Sequence, residues 1–430
     1  MTSKVGARRA LVAGSIGNLV EWYDFALYGA FATIIARTFF VSTDGTDGLL
    51  AAFGVFGLAF VARPAGALLF GHFGDRFGRR RALTAGILLM AFATAGIGAL
   101  PGPAAIGAAA PVALVVFRSL QGVSVGGEYG GSAAFVVEHA PPDRRGWYGA
   151  WQWASVGFGL ATGIGVAAAL SAALPAPALQ SWGWRLPFLL ALPLGGVGIY
   201  LRTRVAESPA FREVQLTDVV SDGPLTEVWR TGRETVLIGL GIVAAVVVTF
   251  NVFYVFVPSA LVASGRVPLA NALGAALVGL TFGSLCAPLA GRLSDRVGRR
   301  PILRAGTVVL LLAIVPSMSL IERGDAIGLL LGYAAVGLPL GSLALSTFLA
   351  ELFTTRLRYS GLSLTYGVGS AIFGGTAPFV ATLLVRGTGD LRAGAWYATA
   401  VVGLAVGCAI AAPETAHRPL NEPLVARSAD

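Results

Sequence analysis

The chain has 430 residues, of which 55% are hydrophobic and only 12% charged, and its formal net charge is +9. Soluble domains carry roughly 25% charged residues, so this composition excludes an ordinary soluble protein and indicates a polytopic membrane protein. The basic residues lie in short loops between apolar runs, which argues against a nucleic-acid partner.

Apolar segments long enough to cross a bilayer, about 20 residues each, recur along the whole chain. The longest polar stretch, 203–234, separates two sets of six. We predict an all-α integral membrane protein with an N-terminal half (1–202), a cytoplasmic linker (203–234), a C-terminal half (235–412) and a cytoplasmic tail (413–430). The twelve predicted transmembrane helices are 11–40, 49–71, 83–100, 106–137, 147–173, 182–202, 235–264, 268–291, 301–321, 326–352, 359–386 and 391–412.

Arginine-rich and arginine-poor loops alternate along the chain. Because cytoplasmic loops of membrane proteins carry the excess of Lys and Arg, the arginine-rich side is predicted to be cytoplasmic. Both termini fall on that side. The basic N-terminus leads into an apolar run with no small-residue cleavage pattern, so we expect a retained first span and not a signal peptide.

One ten-residue phrase occurs twice. Residues 71–80 read GHFGDRFGRR and residues 291–300 read GRLSDRVGRR, with starts 220 residues apart. A second feature also recurs, since Glu138 and Glu351 each end a predicted span before a basic loop. Such internal repetition predicts two pseudo-symmetric halves.

Five further phrases carry a more specific resemblance. They are GNLVEWYDFALYG (17–29), RSLQGVSVGGEYGG (118–131), GWRLPF (183–188), AESPAF (206–211) and RYSGLSLTYGVGSAIFGG (358–375). Together with the repeated loop they resemble the metabolite:proton symporter family of the major facilitator superfamily. That family includes carriers of 2-oxoglutarate, citrate, shikimate, and proline or betaine. The resemblance implies proton-driven uptake across a bacterial inner membrane through two six-helix halves.

Ionisable side chains inside a bilayer are costly and therefore mark functional sites. Glu21 and Asp24 lie three residues apart in the first span and share a helix face. We predict that this pair, with Glu128 of the fourth span as the next candidate, carries the coupled proton. Arg63 of the second span reaches a similar depth and is predicted to form a structural ion pair with the first-span acids.

The fourth span carries Arg118 and Gln121 on the same helical stripe as Glu128. Arginine pairs well with a carboxylate. Arg118 is therefore predicted either to bind an anionic substrate or to control the proton acceptor. The other residues predicted to line a central substrate cavity are Gln121, Gln152, Trp153, Asn251 and Tyr254.

In the fold that the resemblance implies, the acid of each repeated loop lies near a helix N-terminus of the opposite half, where the helix dipole favours negative charge. The resulting contacts would close the cytoplasmic side, and their loss would favour an inward-open state. Arg79 and Arg299 are predicted to pair with Glu138 and Glu351. The complete set of predicted gating residues is Asp75, Arg79, Glu138, Asp295, Arg299 and Glu351.

The leading functional hypothesis is proton symport of a small organic carboxylate, with a proline or betaine carrier as the alternative. The short tail, with no coiled-coil segment, favours the metabolite hypothesis over an osmosensor. A drug:proton antiporter is a weaker alternative, because the fifth span lacks a Gly-Pro phrase. The histidines show no metal-site spacing, so we expect no metal, no cofactor, no enzymatic activity and a monomer.

Overall fold

The structure, a computed structural model, describes residues 4–40, 45–66, 69–70, 79–126, 128–203, 224–343, 345–355 and 357–420. These residues are almost entirely helical and include no β-strand. In a bilayer every backbone N–H and C=O needs a partner within its own segment, which is why the long apolar stretches fold as helices.

The first six helices form the N half. α1 comprises Lys4–Ala30 and Ala32–Phe39, and α4 comprises Ala109–Val125 and Glu128–His139. The other four are α2 (Gly45–Val61), α3 (Arg79–Ala99), α5 (Arg145–Ala173) and α6 (Arg185–Leu189 with Ala191–Thr203).

The last six helices form the C half. α7 comprises Pro224–Phe250, a π-helical segment Asn251–Phe256, and Val257–Ala263. α11 is built in the same way from Arg358–Gly369, the π-helical segment Ser370–Gly374, and Ala377–Thr388. The others are α8 (Leu269–Val297), α9 (Arg299–Ile321), α10 (Ala326–Ser342 with Leu345–Glu351) and α12 (Arg392–Ala411).

The prediction of an all-α, twelve-helix membrane protein is confirmed. Within the described ranges, nine helices are long and apolar enough to cross a membrane, and α3 contributes a shorter apolar helix, Thr84–Ala99. One boundary differs from the prediction. The last residues of the expected linker, from Pro224 onward, already belong to α7, which bends at Gly232 before it enters the apolar region.

The two halves meet along two principal crossings, α5 against α8 and α2 against α11. At the second, a Cβ on Gly57 would lie 2.8 Å from the Gly375 carbonyl oxygen, so the helices cross almost in backbone contact. The π-helical segments of α7 and α11 precede Pro258 and Pro378, because proline cannot donate the hydrogen bond that a regular helix requires. Both irregular segments lie at the interface between the halves.

We name the two ends of the helix bundle by their residues. The signature end carries Arg145 at the start of α5, Asp295 near the end of α8 and Arg358 at the start of α11. The opposite end carries Asp47 in the first turn of α2 and Arg386 in the last turn of α11.

Candidate functional site

A cavity of about 50 Å³ lies between the halves. By volume it would hold about four water molecules, so its occupant must be small or must widen it. Its lining consists of aromatic and aliphatic side chains, glycines, one amide and two hydroxyls, with no charged side chain among these described residues. They are Trp22, Phe60, Trp153, Val156, Gly157, Leu160, Val246, Val247, Phe250, Asn251, Leu280, Gly283, Ser284, Gly337, Leu340, Gly341 and Tyr366. A smaller pocket of about 10 Å³ shares part of this wall and adds Tyr254.

Three of the six residues predicted to bind substrate line these cavities: Trp153, Asn251 and Tyr254. Asn251 belongs to the π-helical segment of α7. Its Nδ2 donates to the Val247 carbonyl oxygen at 2.8 Å, and its Oδ1 has no hydrogen-bond partner among the described residues. A buried amide oxygen left unpaired is costly unless a ligand or water completes it, so Asn251 is the polar anchor of the cavity.

The other three do not reach the cavity. Gln152 is fully buried, and its Nε2 donates to the Ser132 hydroxyl at 3.1 Å inside the N half. Arg118 and Gln121 belong to a different buried network, described below. All three lie on faces of α4 and α5 that pack within the N half. The spacing of residues along one helix cannot distinguish such a face from the face that points toward the C half.

The second network is a chain of hydrogen bonds buried in the N half. The Thr94 hydroxyl donates to Asp24 Oδ2 at 2.9 Å, and Gln121 Nε2 donates to Thr94 Oγ1 at 2.7 Å. Arg118 Nη1 then donates to Gln121 Oε1 at 2.8 Å, and Nη2 to the Phe56 carbonyl oxygen at 3.3 Å. Asp24 and Arg118 are thus joined through two neutral side chains, and Asp24 Oδ1 has no hydrogen-bond partner in the described part of the chain.

Arg63 lies one layer behind the cavity wall. It is 4% exposed, and its guanidinium carbon is 5.4 Å from the ring centroid of Trp22 and 4.4 Å from that of Phe60. It also hydrogen-bonds Tyr366 and attracts Glu21 electrostatically. Arg63 packs mostly against aromatic rings, and its predicted ion pair with the acids of α1 stays a prediction. The side chain of Glu128 lies outside the described residues.

At the signature end, Asp295 of the C half contacts the first turn of α5 in the N half. Its Oδ1 accepts from the backbone N–H of Gly146 at 2.7 Å and its Oδ2 from that of Trp147 at 2.9 Å. Arg299 holds the same carboxylate at 2.7 Å and pairs with Glu351 at 3.0 Å. The acid of the second repeat thus lies at a helix N-terminus of the opposite half, a favourable position for negative charge.

Glu138 has a partner that the sequence did not predict. Glu138 of the N half pairs with Arg358 of the C half at 2.6 Å, and Arg358 is fully buried. This basic partner belongs to α11, because α4 meets α11 at this end. The predicted pairing of Glu138 with Arg79 stays a prediction. Asp75 and the side chain of Arg79 lie outside the described residues.

The segment after α12 adds contacts that residue patterns did not indicate. The Glu414 carboxylate accepts from the backbone N–H groups of Arg299 at 2.8 Å and Arg300 at 3.1 Å, at the start of α9. Arg145 of the N half donates to the Arg418 carbonyl oxygen at 2.7 Å. Partial burial raises the pKa of Glu414, but the backbone N–H donors outweigh it and the pKa is lowered. In the sequence, the only sign of this contact was a glutamate shortly after the last apolar span.

An ion pair joins the two halves at the opposite end as well. Arg386 of α11 pairs with Asp47 of the N half at 2.5 Å, with both side chains about half exposed (46% and 49%). Contacts between the halves therefore exist at both ends of the helix bundle.

The fold and the site agree with the comparisons to known proteins. The family model for sugar (and other) transporters matches residues 10–218 and 221–423. The chain is 36% identical to the glycine betaine/proline/ectoine/pipecolic acid transporter OusA of Dickeya dadantii, over 96% of this chain and 85% of that protein. It is 34% identical to the alpha-ketoglutarate permease of Escherichia coli, over 93% and 92% of the two chains.

Among solved structures, the proton:xylose symporter XylE bound to 6-bromo-6-deoxy-D-glucose superposes with a TM-score of 0.78 at 17% identity, covering 97% of this chain and 98% of that one. A partially occluded inward-open conformation of XylE from E. coli gives a TM-score of 0.76 at 17% identity, covering 96% and 99%. The chain belongs to the sugar (and other) transporter family of the major facilitator superfamily. It is a multi-pass membrane transporter of small molecules and not an enzyme, as the sequence motifs predicted.

Proposed function

We propose that this transporter is a proton-coupled symporter that imports a small zwitterionic osmolyte or imino acid of the proline and betaine kind. The observation that carries the proposal is the cavity lining, which combines five aromatic rings with Asn251 and Ser284 and no described charged side chain. Aromatic faces bind ammonium groups through cation–π attraction, most strongly when the cation is dehydrated. An uncharged polar lining suits a solute with no net charge, and OusA is named for such solutes.

A second candidate substrate is a small organic carboxylate, which was the leading hypothesis from the sequence. The observation that favours it is Arg63, whose guanidinium lies 4.4 Å from the Phe60 ring of the cavity wall. A rearrangement of Tyr366 or Phe60 would expose this cation to the cavity. The similarity to the protein named alpha-ketoglutarate permease supports this second candidate.

Asp24 is our candidate for the proton carrier. It is 1% exposed, one of its oxygens has no hydrogen-bond partner among the described residues, and a charged carboxylate is costly at this depth. Thr94 and Gln121 connect it to Arg118, which accords with the second of the two roles predicted for Arg118, control of the proton acceptor. Glu21 and Glu128 are the other candidate acids.

The proposed mechanism is alternating access by rocking of the two halves, 1–202 and 235–412. Asp295, Glu138 and Arg358 close the signature end, and Asp47 with Arg386 closes the opposite end. From the arginine bias we propose that the signature end and both termini are cytoplasmic, in a bacterial inner membrane. We also propose a monomer, since each chain encloses its own cavity.

The test is uptake into proteoliposomes of radiolabelled glycine betaine, proline, 2-oxoglutarate, citrate and shikimate, with and without an inward proton gradient. We expect gradient-dependent accumulation of betaine or proline. Accumulation of a carboxylate alone would overturn the zwitterion proposal in favour of the second candidate. Uptake that does not depend on the proton gradient would overturn the proposed proton coupling.

Substitutions at two positions, Trp153 and Asp24, localise these roles. Trp153→Ala should raise the KM for the ammonium solute by about 10- to 30-fold, the loss of one dehydrated cation–π contact, whereas Trp153→Phe should raise it less. Asp24→Asn should abolish gradient-driven accumulation while leaving exchange of labelled for unlabelled solute. If Asp24→Asn accumulates substrate normally, the proton is carried elsewhere.

A further inference from the structure

Two tyrosines from opposite halves stack on each other below the cavity. Tyr129 of α4 and Tyr366 of α11 have ring centroids 3.7 Å apart and planes inclined by 17°. Both are nearly fully buried, at 4% and 3% exposure. The Tyr129 hydroxyl also shares a hydrogen bond of 3.0 Å with the hydroxyl of Ser346 in α10. The stack thus joins the N half to two helices of the C half.

The stack lies between the cavity and the ion pairs of the signature end. On the cavity side, Tyr366 is itself a lining residue and the Trp153 ring meets Tyr129 edge-on at 6.5 Å. On the other side, Glu138 follows nine residues after Tyr129 on the same helix segment, which places its pair with Arg358 about 13 Å further along the axis. A solute leaving the cavity toward the signature end therefore meets the two rings before it meets the ion pairs.

We propose that the Tyr129–Tyr366 stack is the inner gate of the cavity and must separate before substrate can leave toward the signature end. The proposal rests on the alternating-access transport proposed above, but not on the identity of the solute. The barrier is the pair of stacked rings, which block the path by their bulk. The ion pairs of the signature end hold the halves together, whereas the rings close the path itself.

The experiment measures access to the cavity without any substrate. In a background with Cys286→Ser and Cys408→Ser, Ser284→Cys places a single thiol on the cavity wall. The rate of its reaction with a membrane-impermeant methanethiosulfonate is measured with the reagent applied to each face of reconstituted vesicles in turn. Tyr129→Ala and Tyr366→Ala should each accelerate the reaction from the signature-end face about tenfold, or about 1.4 kcal/mol. The rate from the opposite face should not rise.

The controls separate the gate from general loosening. Tyr129→Phe keeps the ring and loses only the Ser346 hydrogen bond, so its rate should stay near that of the background. Phe188→Ala removes a fully buried ring that packs on Phe31 and Trp184 within the N half, and should not accelerate the reaction. If the alanine variants do not fold, Tyr129→Leu and Tyr366→Leu fill similar volume without a flat face.

Each result has a definite meaning. Acceleration confined to variants that lose a ring, and to the signature-end face, supports the gate. Unchanged rates for both positions, or equal acceleration by Phe188→Ala, overturn it. Failure of every solute in the uptake assay, with these rates changed as expected, would overturn the proposed substrate class and leave the gate standing.

Discussion

Neutralising Asp295 should shift this transporter toward a state that is open at the signature end. The Asp295 carboxylate accepts two backbone N–H groups of the opposite half, at 2.7 Å from Gly146 and 2.9 Å from Trp147. Its side chain is only 8% exposed, so water does not replace these bonds. Asp295→Asn keeps the shape but removes the charge, and its NH2 group cannot accept the second hydrogen bond.

The expected size of this shift toward the open state follows from these contacts. A hydrogen bond to a charged group contributes about 1.5–3 kcal/mol, and a negative charge at a helix N-terminus about 0.3–1 kcal/mol, more when partly buried. Since the contact to α5 joins the two halves, its loss acts only on the state closed at the signature end. A combined loss of about 2–3 kcal/mol raises the ratio of open to closed molecules roughly 30- to 150-fold.

The assay is the single-thiol protein described above, with Ser284→Cys on the cavity wall. Asp295→Asn should raise the rate of thiol modification from the signature-end face and lower gradient-driven accumulation. The matched control is Asp325→Asn. The Asp325 carboxylate also caps a helix, accepting from the Gly328 N–H at 2.7 Å, but it does so within the C half. It should leave the rate unchanged.

Three results would be informative about this reasoning. Equal rates for Asp295→Asn and the unsubstituted background would refute the claim that the contact selects the closed state. Acceleration by Asp325→Asn to the same extent would show general destabilisation. Asp295→Glu, which keeps the charge but lengthens the side chain, should fall between the wild type and Asp295→Asn.

The remaining predictions concern both ends of the bundle. Asp47→Asn should destabilise the state closed at the opposite end by less than about 1 kcal/mol, since half-exposed ion pairs contribute little. A salt concentration of 1 M should have the same effect. A large increase in the rate of thiol modification from that face would contradict this. Glu138→Gln and Arg358→Gln should each impair closure at the signature end, and in a double-mutant cycle the two losses should not be additive. Additive losses would show that the 2.6 Å pair contributes nothing to closure. A spin label on the tail should stay immobile at neutral pH and become mobile in acid. Because the pKa of Glu414 is lowered in the folded state, its contribution is present above the ordinary Glu pKa of about 4.3 and is lost as pH falls through the lowered value. Glu414→Gln should be mobile at every pH, and an immobile label there would refute the tail contact.

The architecture of this protein was readable from the sequence. Apolar segments of spanning length and a repeated loop predict twelve helices in two related halves, because a bilayer admits little else for such a chain. The motifs also identified the superfamily. At the signature end, the repeated loop identified Asp295 as a gating residue.

The choice of residues at the cavity was decided by the tertiary structure. Arg118, Gln121 and Gln152 satisfy the same helical spacing as residues that face a cavity, yet they are buried within the N half. Within a membrane, polar side chains are favoured both in the interior of a helix bundle and on the wall of a cavity. The periodicity of polar residues therefore identifies the face of a helix that points away from lipid, but not whether that face meets the bundle interior or the cavity.

The contacts between distant segments were equally unreadable. Glu138 pairs with Arg358, Tyr129 stacks on Tyr366, and Glu414 caps α9, each across a sequence separation longer than any local pattern. Their partners are set by where α4 meets α11 and where the tail crosses the signature end. Those positions depend on close packing of all twelve helices, which no single segment specifies.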